Sequence, residues 1–345
     1  MTPRVVVADV GNFALKAGFY RWDGTRWTAE GDPLVVDLPA GHEPASTDPA
    51  STDPANAPPA GGDPTDTRPT DTWQRGLARW YQTQGEALSL DRLGMLGWRV
   101  ASVNPPPTAW LEAWVSGRDQ PARRQLWRAI SAVDVPLQLA VRHPERVGID
   151  RLVAAWAAWR GRAQADRPAA GEAWHFPPDP SPPRPVMVVD AGSAMTVDLV
   201  AADGTFLGGA ILPGRQMQLK SLGVGAFALP DLSHPRSSTE SDPATPAGAP
   251  VPALDLAAEC PGQDTVAAIE LGVAAGMLGA IRQLREAYTA RLAAPPELVV
   301  TGGDAARLAP LLGATATWVP HLVLDGLAQL AGAPPDASSV RPADR

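Results

Sequence analysis

Apolar positions recur along the chain in two registers. Short valine-rich runs at 5–10, 186–190 and 297–301 read as buried strands. Alternating stretches at 14–20 with 26–29, and at 194–201 with 205–211, read as hairpins around Asp23-Gly24 and Asp203-Gly204. Helical spacing predicts helices over 73–87, 109–132 and 151–160, with Trp156 and Trp159 three residues apart in the last. It predicts a long helix or helix pair over 265–293, a helix over 304–312, and a final one containing 326–330. Four Pro-rich or polar stretches interrupt this pattern, at 39–72, 164–185, 233–262 and 331–345. The first contains the tandem Ala45-Ser-Thr-Asp-Pro and Ala50-Ser-Thr-Asp-Pro. Such segments bury too little apolar surface to offset their ordering entropy, so disordered insertions and a tail are expected.

The resulting domain organisation is an N-terminal domain over 1–163 and a C-terminal domain over 186–330. The first carries the insertion at 39–72, the second a flexible insertion at 233–262. Residues 164–185 form a linker and 331–345 a tail. The two domains begin alike. Val6-Val-Ala-Asp-Val-Gly-Asn and Val188-Val-Asp-Ala-Gly-Ser each run from a strand into an Asp-x-Gly turn and a second strand. Asp9 matches Asp190, Gly11 matches Gly192, and Asp23-Gly24 matches Asp203-Gly204.

Composition narrows the function classes. The 345 residues carry a formal net charge of −8, which argues against a nucleic-acid backbone as partner. A single cysteine, Cys260, excludes a disulfide framework and a cysteine-rich zinc site. No uninterrupted apolar run reaches membrane-spanning length, and the N-terminus lacks the features of a secretory signal. The expected location is cytoplasmic, with no membrane partner. Only Lys16 and Lys220 are lysines among 29 basic residues, which draws attention to Lys16 beside the first Asp-x-Gly turn.

An Asp-x-Gly hairpin is suited to phosphate. The turn exposes backbone N–H groups, glycine permits close approach, and the carboxylate can hold a cation beside the phosphate. Two such hairpins facing each other would clamp a nucleotide's phosphates. Val299-Val-Thr-Gly-Gly303 offers a third glycine-lined surface, suited to a flat adenosine moiety.

Six segments in order give the chain a specific likeness. Asp9-Val-Gly-Asn-Phe-Ala-Leu-Lys-Ala-Gly18 is followed by Gly148-Ile-Asp-Arg151 and Asp190-Ala-Gly-Ser-Ala-Met-Thr-Val-Asp198. Then come Gly208-Gly-Ala-Ile-Leu-Pro-Gly214, Asp264-Thr-Val-Ala-Ala-Ile-Glu-Leu-Gly272 and Thr301-Gly-Gly303. In these segments the chain resembles the type III pantothenate kinases of the actin, hexokinase and sugar-kinase superfamily. The resemblance implies an α/β fold of two ribonuclease-H-like (actin-like ATPase) domains, each a mixed five-stranded sheet with helices. It implies ATP-dependent phosphorylation of pantothenate to 4'-phosphopantothenate, the first step toward coenzyme A. It also implies Mg2+, a monovalent cation (K+ or NH4+) and a homodimer.

Residue roles follow from the resemblance. Asp9, Val10, Gly11, Asn12, Phe13, Ala14, Leu15, Lys16 and Ser193 would bind ATP. Asp150 would be the general base. Gly148, Ile149, Asp150, Arg151 and Thr265 would bind pantothenate, Thr265 across the dimer interface. Asp190 would hold the monovalent cation. The departures are Phe13 where the family has a small Thr, Ser193 where it has Thr, Met195 where it often has Thr, Asp264 where it has Asn, and no Tyr in Val141-Arg-His-Pro ahead of Gly148. The alternative is a non-catalytic regulatory relative of the same fold, and the retained Asp150 argues against it.

Overall fold

The computed structural model describes residues 2–39, 71–90, 93–119, 124–161, 176, 184–225, 229–233 and 260–334. The chain divides into two compact units. One comprises Met1–Val135, Gly148–Val153 and Val323–Arg345, the other Pro136–Val147 and Ala154–Leu322. The units are thus discontinuous in sequence, whereas the expected domains followed one another along it. Most of the expected insertions and the tail lie outside the described residues.

The first unit is built on a five-stranded sheet. β1 (Arg4–Val10), β2 (Ala14–Trp22) and β3 (Trp27–Asp37) form an antiparallel meander. β4 (Met95–Ser102) joins β1 in parallel, and β5 (Arg124–Ala129) joins β4, giving the order β3-β2-β1-β4-β5. The valine run of β1 is buried on both faces, as a central strand requires. Its Val6, Ala8 and Val10 face a core of Trp98, Leu77, Tyr81, Leu111 and Trp114. Those last four come from α1 (Thr72–Ala87) and α2 (Pro105–Ser116), which pack on that side. Asp71, inside the stretch read as an insertion, starts α1: its backbone N–H donates to the Gln74 side chain at 3.1 Å.

One expected helix is corrected. Helical spacing over 109–132 gives way at Gly117, whose N–H closes the last turn of α2 on Ala113. Residues 124–129 are β5 instead. Their true period is two, with Gln125 buried and accepting a hydrogen bond from Trp98 Nε1 at 3.0 Å, while Arg124, Leu126 and Arg128 face outward.

The second unit repeats the strand order. β7 (Val186–Ala191), β8 (Ala194–Val200) and β9 (Thr205–Pro213) form the meander, β10 (Glu297–Thr301) joins β7 in parallel, and β11 (Ala316–Trp318) joins β10. A two-residue strand, β6 (Gln138–Leu139), extends the far edge along β9, making six strands where five were expected. Both sheets are mixed, and the fold class is α/β. The matching turns are alike in detail. Asp23 Oδ1 accepts from the backbone of Thr25 and Arg26, holding that carboxyl down to about 2, and Asp203 Oδ1 accepts from Thr205. Gly24 and Gly204 supply the left-handed residue of each turn, at φ +108° and +85°.

The core of the second unit joins Met187, Val189, Val197, Leu298 and Val300 of the sheet to α4 (Arg215–Gly225), α5 (Thr265–Leu292) and α6 (Ala305–Leu312). α5 is a single helix of 28 residues. By length and composition it could cross a membrane, although Glu270 and Arg282 break its apolar run. Its Ile269, Val273, Met277, Leu278 and Ile281 belong to the core.

α3 (Ile149–Arg160) follows Gly148, and its residues are divided between the two units. α7 (Leu322–Leu330) is the last helix among the described residues. In the first unit it meets β2 through a buried hydrogen bond from Tyr20 Oη to Asp325 Oδ1 at 2.7 Å.

Candidate active site

In the first unit, Asp9 sits one residue before the end of β1, beside Ala101 of β4 and opposite Lys16 of β2. The carboxylate is buried, and Lys16 Nζ lies 3.8 Å from Asp9 Oδ2. Lys16 is therefore turned toward the carboxylate and is not a solvent-facing strand lysine. The turn between them is tight: Gly11 N–H donates to Ala14 O at 2.9 Å. The carbonyl of Phe13 accepts from Leu38 N at 2.7 Å, while its ring stands 42% exposed at the tip. Phe13 thus ties the turn to Leu38 through its backbone carbonyl.

Asp150 and Arg151 lie in the first turn of α3. Asp150 Oδ1 accepts from the Arg151 backbone N–H at 2.9 Å. A side chain at 148 would collide with that carboxylate oxygen, so glycine lets the Asp150 side chain fold back over the helix start. The same space is bounded by Val103, whose N–H donates to Val10 O at 3.1 Å. The junction between β4 and α2 therefore touches both Gly148 and the end of β1. It also carries Asn104, whose side chain reaches Gly11 O and Asn12 O at 3.3 and 3.5 Å. Sequence reasoning missed this junction. Its signal was Ser102-Val-Asn-Pro-Pro-Pro107, a strand end followed by a polar residue and three prolines.

In the second unit, Asp190 occupies on β7 the place of Asp9 on β1, next to Thr301 at the end of β10. Three glycine loops close around it. Gly302, at φ +94°, comes so near that a Cβ would collide with Asp190 Oδ1 and the Ala191 backbone. Gly214 packs against the Gly192 and Ser193 backbone and donates to Ser193 O at 3.0 Å. Asp304 N–H donates to Ala191 O at 3.0 Å. A carboxylate is a hard-oxygen ligand of the kind that suits an alkali or alkaline-earth cation.

Beside these loops stand Arg215, Glu270, Asp304 and Arg307, with Arg215 Nη2 at 3.2 Å from Glu270 Oε1. Burial raises the Asp304 carboxyl, against the opposing pull of Arg215 and Arg307.

Thr265 is placed elsewhere in this unit. It is the first residue of α5 and lines a groove of about 620 Å³ with Gln218, Ser221, Leu222, Leu229 and Ile269. Asp264 caps the helix, its Oδ1 accepting from Ala267 N at 2.8 Å. That accounts for an acidic residue at this position, since a carboxylate caps as well as an amide and suits the helix N-terminus.

The family model of the type III pantothenate kinases matches residues 64–287. The chain is 40% identical over 205 residues to the type III pantothenate kinase of Rhodopirellula baltica, covering 59% of this chain and 61% of that protein. It is 38% identical over 195 residues to that of Alkalilimnicola ehrlichii, covering 56% and 62%. It is 33% identical over 238 residues to that of Leptothrix cholodnii, covering 66% and 78%. The chain spans about six-tenths of the length of the first two relatives. Among solved structures, an archaeal actin homologue aligns at 14% identity and a TM-score of 0.39, over 96% of this chain and 99% of that one. By the extent of the family match, and with the Asp-x-Gly hairpins and Gly148-Ile-Asp-Arg151 in the positions described, the chain belongs to the type III pantothenate kinase family.

Proposed function

We propose that the protein transfers the γ-phosphoryl group of ATP to the primary hydroxyl of pantothenate, releasing ADP and 4'-phosphopantothenate. The observation that carries this reading is the β4–α2 junction. Within one unit it contacts both the Asp-x-Gly turn, suited to phosphate, and the glycine that makes room for Asp150. Phosphoryl transfer asks mainly for positioning and charge stabilisation. Gly11 and Asn12 would line the phosphates, with Lys16 supplying positive charge. Asp150 takes the proton of the attacking hydroxyl, the hydroxyl oxygen bonds to the γ-phosphorus, and the bond to the β-phosphate oxygen breaks. Arg151 would face the pantothenate carboxylate.

Asp9 fits a role as holder of Mg2+, directly or through water, and Asp190 with nearby carbonyls fits K+ or NH4+. These cations would neutralise charge on the phosphates. Ser193, in the turn after Asp190, is assigned to ATP as well.

A homodimer belongs to the same reading. Ala268, Gly272, Ala275, Gly276 and Gly279 form an exposed, small-residue side of α5, and a Cβ at any of those three glycines would meet nothing within 4 Å. Such a side suits close approach of the same helix from a second copy. Thr265, at its N-terminal end, would then serve the partner's substrate. We place the enzyme in the cytoplasm, with neither nucleic acid nor membrane as a partner.

The test is Asp150→Asn. ADP release with pantothenate should fall by roughly two to four orders of magnitude while MgATP affinity and melting temperature hold. Turnover close to wild type would remove Asp150 as the base.

A further inference from the structure

We propose that Asn104 is a positioning residue that fixes the Gly11-Asn12-Phe13 turn with its carbonyl oxygens engaged, so that they do not oppose nucleotide phosphates. The proposal rests on the kinase reading above. It starts from an oddity at the head of α2. Asn104 occupies the N-cap position, where an Asn side chain ordinarily accepts from the backbone N–H of the second or third helical residue. Here the first three helical residues are Pro105, Pro106 and Pro107, which have no N–H to give. Asn104 accordingly makes no side-chain cap bond, so capping does not explain an Asn at this position.

Its amide is directed at the turn instead. Nδ2 approaches Gly11 O at 3.3 Å and Asn12 O at 3.5 Å. An amide nitrogen carries two hydrogens, one for each carbonyl. The opposite orientation would set Oδ1 against two carbonyl oxygens. With Leu38 N bonded to Phe13 O, three consecutive carbonyls of the turn are engaged by donors outside it. A free carbonyl dipole turned toward a triphosphate would repel it, and this pattern prevents that.

Asn104 is itself held. Its N–H donates to Ser102 Oγ at 3.1 Å, and Thr108 Oγ1 donates to its carbonyl at 2.7 Å. Val103 N–H, one residue earlier, is tied to Val10 O. The prolines restrict the backbone that follows. The donor is therefore presented from a braced position and does not have to be ordered when nucleotide arrives.

The experiment compares wild type with Asn104→Asp, which keeps the shape and removes both donors, and Asn104→Val, which removes the polar group. MgATP affinity is read by titration calorimetry, and the KM values for ATP and pantothenate from ADP release. Loss of these bonds should weaken MgATP binding by roughly tenfold or more, with the larger loss in Asn104→Asp. The KM for pantothenate and the melting temperature should stay near wild type, which separates positioning from a general loss of structure. MgATP affinity within about twofold of wild type in both variants would overturn the proposal. So would equal loss toward both substrates, or a wild-type protein that binds no MgATP. A wild type that binds MgATP but releases no ADP with pantothenate would sink the kinase reading alone, and the calorimetry would still judge Asn104.

Discussion

Asp325→Asn should reverse a pH-dependent weakness in the first unit. Asp325 is 8% exposed on α7, and its hydrogen bond from Tyr20 Oη is at 2.7 Å. Burial pushes its carboxyl up to about 7, with the Tyr20 bond only partly opposing the rise. An unfolded aspartate titrates near ~3.9. The folded state therefore holds the proton more tightly. Its contribution is fully present below about pH 4 and is lost as pH rises through about 7. A gap of about 3 units corresponds to about 4 kcal/mol, of which about 3 kcal/mol falls between about pH 5 and about pH 8. Asparagine is neutral throughout and can still accept from Tyr20. Urea unfolding of both proteins across this range should show the variant gaining on wild type by about 3 kcal/mol toward alkaline pH. A stability difference constant to within about 0.5 kcal/mol would refute the burial argument. Trp27 Nε1 to Gly332 O and Gln329 Nε2 to Trp27 O, at 2.7 and 2.8 Å, also tie this C-terminal segment to β3 and are untouched by the change.

Other substitutions probe separate links. Gly302→Ala places a Cβ against Asp190 and the Ala191 backbone in a left-handed conformation, and should cost on the order of 1–3 kcal/mol by chemical denaturation, together with nucleotide affinity. Asp264→Ala removes the cap of α5 and should cost about 1 kcal/mol, read the same way. Gly276→Arg adds bulk where nothing stands within 4 Å; light scattering should show loss of the proposed dimer with circular dichroism unchanged, and an intact dimer would exclude that side of α5 as the interface.

What the sequence made legible follows from local chemistry. The valine runs, the Asp-Gly turns and the two Asp-x-Gly loops are specified by neighbours in sequence, and each appears at its expected place: the runs as β1, β7 and β10, the Asp-x-Gly loops between β1 and β2 and between β7 and β8, and the Asp-Gly turns between β2 and β3 and between β8 and β9. β5 was read as helix because its alternation covers only six residues after a true helix; pairing with β4 and the bond from Trp98 to Gln125 decide it. β3 runs to Asp37, well past the expected 26–29, because β2 pairs along it to Ala14 across a register shift near Ala17. Asn104 was missed because its meaning depends on a turn about ninety residues away. The surroundings of Lys16 and Asp264 also depend on the fold: Lys16 Nζ lies 3.8 Å from Asp9 Oδ2, and Asp264 Oδ1 accepts from Ala267 N and caps α5.

The central claim is the reaction, and ADP release from purified protein with MgATP tests it most directly. It should be run with and without pantothenate, in K+ and then Na+ buffer. The account predicts turnover that requires pantothenate and is faster in K+, with phosphopantothenate identified as the product by mass. ADP release that is indifferent to pantothenate, or none in either buffer from a protein that binds MgATP, would contradict it.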